Sequence, residues 1–143
     1  MLVRDVLARK GSTVVTVSPE TTIDILLSHL AEYNIGAALV SPDGEVLLGI
    51  VSERDVVRNL DHTGASPLSR PVTDIMTSEI TTATPEDTIE HLMAVMTEER
   101  VRHIPVLVDG KLAGLISIGD VVKSRMDELE SEREHLISYI SGS

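Results

Sequence analysis

The chain has 143 residues, a length that suits one compact domain, and 42% of them are hydrophobic although Phe and Trp are absent. Its 12 Lys and Arg against 23 Asp and Glu give a formal net charge of -11, which excludes a general affinity for nucleic acid or anionic membrane, and two tyrosines are too few for a base-stacking platform. Zero cysteines exclude disulfides and thiolate metal sites and fit a reducing compartment, so we expect a cytoplasmic protein.

The first half of the chain predicts six elements in a row. A short opening helix covers residues 3–7, and a β-branched strand covers residues 14–17. The next helix follows the Pro19-Glu20 pair, and its apolar residues recur at i, i+3, i+4 and i+7: Ile23, Leu26, Leu27 and Leu30. Strands at 37–40 and 46–51 flank Asp43-Gly44, a strong hairpin signal, and a closing helix follows Ser52. Because the N-terminus is interrupted by charge and no apolar run approaches a membrane span, we expect neither a signal peptide nor a spanning helix.

The same order of elements returns after residues 62–71, which have the composition of a linker. The second copy has a short opening helix at 72–76, a strand at 80–83, a helix after Pro85-Glu86 and two strands at 104–108 and 112–116 around Asp109-Gly110. The helix after Pro85-Glu86 has the same spacing of apolar residues: Ile89, Leu92, Met93 and Met96. We therefore predict two β-α-β-β-α repeats: residues 1–61, a linker at 62–71, and residues 72–127. The closing helix continues through a tail at 128–143 with a partial apolar stripe: Val122, Met126, Leu129, Leu136 and Ile140.

One motif, Gly-x-x-Ser-x-x-Asp, closes both repeats and carries their chemistry. It runs from Gly49 to Asp55 and again from Gly114 to Asp120. A carboxylate at a helix start can accept hydrogen bonds from both vicinal hydroxyls of a ribose, while free N–H groups of the first helical turn favour an anion. The same Ser and Asp spacing is also that of a helix capping box. The motif therefore predicts either a ribonucleotide site or a cap.

The doubled motif, the two Pro-Glu helix starts and the Arg102-His103-Ile104-Pro105 strand together resemble a tandem pair of cystathionine-β-synthase (CBS) domains, called a Bateman module. The chain is similar to small stand-alone bacterial CBS-pair proteins. The resemblance implies an α+β fold in which two repeats pack about a pseudo-twofold axis as one module, here with an extended C-terminal helix. It also implies adenosine nucleotides as ligands and frequent assembly into homodimers.

The resemblance maps nucleotide-binding roles onto both repeats. In the second repeat the candidates are Ser117, Gly119 and Asp120, with Arg102 and His103 for phosphate and Ile80, Thr81, Thr82 and Pro105 for adenine. In the first part of the chain they are Lys10, Val17, Gly36, Ala38, Ser52, Arg54 and Asp55. Because the first repeat has Gly36-Ala37-Ala38-Leu39 where the second has Arg102-His103-Ile104-Pro105, we expect two sites of unequal quality.

Four functions remain compatible with these residues. The favoured one is a sensor of AMP, ADP or ATP that acts on an unidentified effector protein in trans. The others are a binder of NAD(H) or a related adenosyl ligand, a structural dimerisation module with vestigial clefts, and an enzyme. Catalysis is disfavoured because the sequence has no nucleophile with an adjacent base and no P-loop, and we expect no catalytic cofactor. The five histidines are dispersed without metal-ligand spacing, so we expect no metal site.

Overall fold

The computed structural model describes residues 1–60 and 67–142. Their helices are α1 (Val3–Lys10), α2 (Ile23–Tyr33), α3 (Glu53–Leu60), α4 (Ile89–Glu99) and α5 (Ile118–Ile140). Their strands are β1 (Thr16–Val17), β2 (Ala37–Val40), β3 (Gly49–Ser52), β4 (His103–Val108) and β5 (Lys111–Ser117), and 3-10 turns lie at Pro67–Ser69 and Val72–Asp74. This confirms the predicted α+β class and the long C-terminal helix. Residues 62–66 of the predicted linker lie outside the described residues.

The chain forms two compact units, and each combines segments from both halves of the sequence. The first unit consists of Met1–Ser12, Thr82–Val106 and Gly114–Ser143, and the second consists of Thr13–Thr81 and Leu107–Ala113. In the second unit β1 pairs in parallel with β2, and β2 pairs antiparallel with β3, with Ala38 opposite Val51. The strands β4 and β5 form a two-stranded sheet around Asp109 and Gly110.

Each unit has its own aliphatic core, and the two cores correspond residue by residue. Ile23, Leu26 and Leu30 of α2 occupy the places that Ile89, Leu92 and Met96 of α4 occupy in the other core. The apolar faces predicted from helical spacing are therefore confirmed. Burial of such side chains contributes about 1.5–3 kcal/mol each, which is how a chain without Phe or Trp sustains two cores.

The opening segments are exchanged between the repeats. Val3 and Val6 of α1 are buried in the core that contains α4, whereas Val72 and Ile75 are buried in the core that contains α2. Backbone hydrogen bonds support the same assignment, since Val3 N–H donates to Asp87 C=O at 2.9 Å and Val72 N–H donates to Thr21 C=O at 2.8 Å. The compact units therefore differ from the sequence repeats, whose boundaries remain a prediction.

Four predicted elements differ from the structure, and the first of them is the strand predicted at 46–51, which is Gly49–Ser52. Residues 80–83 form no strand; Ala83 makes one parallel bridge to Val106 and donates its N–H to Pro105 C=O at 2.9 Å. Proline lacks the N–H that would continue this ladder, which limits the pairing. The opening segment of the second repeat is a 3-10 turn rather than a helix, and the strand predicted at 14–17 is only Thr16–Val17.

The two predicted Asp-Gly hairpins also differ. Asp109 and Gly110 have φ values of 52° and 78°, the left-handed pair that a two-residue turn requires, so this hairpin is confirmed. The prediction at Asp43-Gly44 is wrong as a tight turn, because a loop at 41–48 separates β2 from β3. Here the Asp43 carboxylate accepts the N–H groups of Glu45 and Val46, both at 2.9 Å, which stabilises a local Asx turn.

Candidate nucleotide site

Ser and Asp of the repeated motif meet where a strand runs directly into a helix. In the first unit the Asp120 carboxylate accepts the backbone N–H of Ser117 at 2.8 Å and its hydroxyl at 2.9 Å, and the Asp120 N–H donates to Ser117 Oγ at 3.2 Å. Ser52 and Asp55 make the same three contacts in the second unit, at 2.8, 3.0 and 3.3 Å. Both pairs are therefore capping boxes, the second of the two roles that the sequence allowed.

Capping leaves few first-turn amides for an anion, fewer than the sequence led us to expect. Ile118 N–H donates to Arg102 C=O at 2.9 Å, and the equivalent Glu53 N–H donates to Gly36 C=O at 3.0 Å. In the first turn of α5 the N–H groups of Ile118 and Asp120 are thus occupied. Within residues 1–60 and 67–142 the Gly119 N–H has no protein acceptor. An anion at α5 would therefore meet one backbone donor rather than several.

Lys10 distinguishes the Asp120 junction from its counterpart. Lys10 is the last residue of α1, and its ammonium lies 2.6 Å from Asp120 Oδ2 and donates to Leu115 C=O at 2.7 Å. The side chains of Lys10 and Asp120 are 34% and 21% exposed, so the pair is partly shielded from water. Among the described residues, Asp55 forms no such ion pair. Within the described part of the chain the two junctions thus differ in charge, because a lysine of α1 pairs with Asp120 and no cation pairs with Asp55.

The charges at this junction shift two pKa values. Partial burial alone would raise the pKa of the Asp120 carboxyl, but the hydrogen bonds from Lys10 and Ser117 and the Lys10 charge lower it below its ordinary value. Burial lowers the pKa of His103, and the charges of Lys10 and Arg102 lower it further, against the opposing effect of Asp120. His103 is therefore a neutral imidazole at pH 7 beside an ionised Asp120.

The family model of the CBS domain matches residues 3–62 and 72–127, which is most of the chain. The chain belongs to the CBS domain family. Both repeats are matched, so the tandem pair predicted from the sequence is confirmed. CBS pairs are regulatory modules, and this one places a capping Ser and Asp at the last strand-helix junction of each repeat.

Similar proteins support the same fold. The chain is 40% identical over 136 residues to a mitochondrial CBS domain-containing protein of Arabidopsis thaliana, a match that covers 92% of this chain and 66% of that protein, just under two thirds. A CBS-domain containing protein from Agrobacterium tumefaciens has a TM-score of 0.84 and 43% identity over 87% of this chain and 99% of that one. A CBS domain pair solved with 5′-methylthioadenosine and S-adenosyl-L-methionine has a TM-score of 0.76 and 21% identity over 86% of this chain and 98% of its own, which shows the common fold.

The remaining candidates of the first unit divide into exposed and buried residues. Arg102 and Thr82 are exposed, and Pro105 is buried, with its carbonyl bonded to Ala83 N–H. Arg102 and His103 lie at the Asp120 junction. The Arg102 carbonyl accepts the Ile118 N–H, and the charges of Asp120 and Lys10 shift the pKa of His103. A direct ligand contact for each of these side chains remains a prediction.

The candidates of the second unit lie partly at the start of α3 and partly in the hydrophobic core. Gly36, Ser52 and Asp55 lie together at the start of α3, and Arg54 is exposed in its first turn. Val17 and Ala38 are buried in the core with exposures of 5% and 0%, so their side chains serve packing in this structure. Ile80 belongs to this unit and is partly buried, whereas Thr82, two residues later, belongs to the first unit.

Sequence reasoning missed the polar residues around Lys10. Lys10 and Asp120 line a groove of about 120 Å³ between α1 and α5, together with Val6, Arg9, Lys123, Ser124 and Asp127. The available signal was helical spacing, because Lys123, Ser124 and Asp127 follow Asp120 at i+3, i+4 and i+7 on one face. Within the described part of the chain, no cluster of metal-ligating side chains and no helix able to cross a membrane is found.

Proposed function

We propose that this CBS pair is a non-catalytic sensor that binds an adenosine nucleotide, AMP, ADP or ATP, at the junction containing Ser117, Gly119 and Asp120. Ligand binding would shift a conformational or assembly equilibrium that an effector protein reads in trans. Such a shift requires that the nucleotide bind one state more tightly than the other. The observation that carries the proposal is the ionised Asp120 carboxylate, held in place by Ser117 and accompanied by a cation.

Asp120 suits ribose recognition even though it caps α5. All its protein hydrogen bonds within the described residues reach Oδ2, from Ser117 N–H, Ser117 Oγ and Lys10. A carboxylate has about four acceptor positions on its two oxygens, so Oδ1 remains available for a ribose hydroxyl. The cap then fixes the carboxylate in advance, which reduces the ordering that binding must otherwise impose.

The ligand class is supported by the family. The solved CBS pair with 5′-methylthioadenosine and S-adenosyl-L-methionine holds two ligands that share an adenosine group. Adenosine recognition at the present site would place the ribose on Asp120, with His103 and Arg102 near the phosphate. NAD(H), which contains the same adenosine group, is the alternative ligand. The junction of Ser52 and Asp55 would bind more weakly because it lacks a counterpart of Lys10.

The proposal is tested by isothermal titration of AMP, ADP, ATP, NAD(H) and S-adenosylmethionine into the wild-type protein and the Asp120→Asn variant. Loss of the carboxylate charge should weaken nucleotide binding at least tenfold, because a hydrogen bond to a charged partner is worth about 1.5–3 kcal/mol. Asn at 120 retains an acceptor for the Ser117 N–H, which preserves the cap.

Two control variants separate binding from stability. Thr88→Ala removes another helix cap, the bond from His91 N–H to Thr88 Oγ1 at 3.1 Å, and should leave affinity unchanged. Asp55→Asn changes the weaker junction in the same way as Asp120→Asn and should have the smaller effect. Absence of nucleotide binding to the wild type, or equal affinity in Asp120→Asn, contradicts the proposed function.

We also propose that a second copy of the chain is a partner through α5. Its apolar stripe is exposed, with Val122, Met126 and Ile140 at 50%, 64% and 75%. Leu129 and Leu136 lie on the same stripe, and their seven-residue spacing favours packing against another helix. Truncation after Asp127 should convert a dimer to a monomer in light scattering; an unchanged dimer mass would show that the tail is dispensable for assembly.

A further inference from the structure

Lys10 blocks part of the acceptor capacity of Asp120. Its ammonium is 2.6 Å from Asp120 Oδ2, which already accepts the backbone N–H and the hydroxyl of Ser117. Three donors saturate this oxygen, so Oδ1 can accept one ribose hydroxyl directly, whereas a second hydroxyl that reaches Oδ2 must displace one of the three donors. The two Ser117 contacts belong to the helix cap, whereas the Lys10 ammonium lies on a flexible and partly exposed four-carbon side chain. Lys10 is therefore the donor most readily displaced.

A displaced Lys10 is free to take a new anionic partner. Its side chain is 34% exposed and Lys10 is an exposed residue, so an ammonium that leaves Asp120 reaches solvent, where an anionic ligand can meet it. A phosphate group supplies strong acceptor oxygens for a lysine, and a flexible four-carbon stem allows the ammonium to follow them. An uncharged nucleoside offers no such exchange, and a cationic ligand would be repelled.

The surrounding charges strengthen this preference. Arg9 and Lys123 line the same groove as Lys10, and the groove's other acid, Asp127, is paired with Arg9 at 3.4 Å. No acid other than Asp120 pairs with Lys10 among the described residues.

We propose that Lys10 is a specificity-determining residue: it exchanges the Asp120 carboxylate for a ligand phosphate and thereby selects phosphorylated adenosine ligands over uncharged nucleosides. This inference rests on the proposed binding of adenosine at Asp120. It adds the ligand charge that the site requires, and it predicts that the junction at Asp55 lacks this selectivity.

The experiment compares AMP with adenosine by isothermal titration. The selectivity is the ratio of the adenosine Kd to the AMP Kd. In Lys10→Met this ratio should fall at least tenfold, because AMP loses a charge-assisted hydrogen bond while adenosine is freed from competition with the ammonium. Lys10→Arg retains the positive charge and should keep at least part of the selectivity, and it serves as a second variant should Lys10→Met fold poorly.

Arg4→Met is the matched control. Arg4 lies on the same helix, is exposed, and its replacement changes the net charge by the same amount. Its ratio should stay within about threefold of the wild-type value, as expected for a screened surface charge. A ratio in Lys10→Met within threefold of wild type, or an equal loss of affinity for both ligands, overturns the inference. Failure of the wild type to bind either ligand contradicts the proposed function instead.

Discussion

The ion pair between Lys10 and Asp120 should stabilise the fold measurably, and a double-mutant cycle isolates its contribution. The cycle comprises the wild type, Lys10→Met, Asp120→Asn and the double variant. Asn at 120 still caps α5, so the coupling energy reports the contact with Lys10. Because the two side chains are 34% and 21% exposed, the pair is shielded more than an ordinary surface ion pair but is not buried.

The expected coupling is about 1 kcal/mol. Exposed ion pairs contribute roughly 0.2–1 kcal/mol, and the short 2.6 Å contact with a capped carboxylate places this pair at the upper end of that range. Arg9 and Asp127 provide a comparison on the same two helices, at 3.4 Å and with side chains 59% and 44% exposed. Their coupling should be below about 0.3 kcal/mol, because a long, solvated pair gains little Coulomb energy.

The assay is urea unfolding of both cycles at one fixed protein concentration, since dimer formation would make apparent stability depend on concentration. Coupling should decrease when salt is added, and more steeply for Arg9 with Asp127. A Lys10–Asp120 coupling equal to or smaller than that of Arg9 with Asp127 would refute the reasoning. It would mean that shielding and contact distance do not control these interactions.

Three further predictions concern stability. Gly49→Ala should lower the free energy of unfolding in urea by about 1–3 kcal/mol, because the added Cβ would lie 2.5 Å from Met76 Sδ and 3.0 Å from the Thr77 carbonyl oxygen. In the control Gly36→Ala the added Cβ meets nothing within 4 Å, so stability should change by less than about 0.5 kcal/mol. Burial depresses the pKa of His103, so the unfolded chain binds a proton at this imidazole more readily than the folded chain does. The free energy of unfolding should therefore decrease as pH falls below the ordinary His pKa of 6.5. A His103→Gln variant that loses as much stability as the wild type between about pH 7 and pH 5 would contradict this role. The pKa of Asp120 is depressed below its ordinary value of 3.8, so the stability that the ionised carboxylate contributes is present above that pH and is lost as pH falls below it. The difference in unfolding free energy between wild type and Asp120→Asn should therefore shrink on acidification through this range. A constant difference would contradict the prediction.

Local sequence signals predicted the elements because their causes are local. The i, i+3, i+4, i+7 faces of α2 and α4 follow from helix geometry, and both are buried as expected. The turn at Asp109 and Gly110 follows from the tolerance of these residues for positive φ. The motif likewise placed Ser117 and Asp120 where β5 runs into α5, although the sequence left open whether they form a cap or bind a ligand.

Other features depended on hydrogen-bond partners that the residue composition of a segment does not reveal. Residues 80–83 have strand composition, but pairing requires a neighbouring N–H that Pro105 does not have. Asp43 and Gly44 have a turn composition, yet the carboxylate of Asp43 organises a longer loop through its own neighbours. In both cases the hydrogen-bond partners, rather than intrinsic propensity, determined the outcome.

The sequence by itself determined the duplication, the order of helices and strands and the positions of the two Ser and Asp pairs, because each is written in spacing and residue type over a few neighbours. Only the tertiary structure decided which opening segment completes which core. Val3 and Val6 are chemically interchangeable with Val72 and Ile75, so their local pattern cannot specify the exchange. That exchange assigns α1 to the unit containing α5 and thereby joins Lys10 to Asp120, a contact across 110 residues that no local pattern encodes.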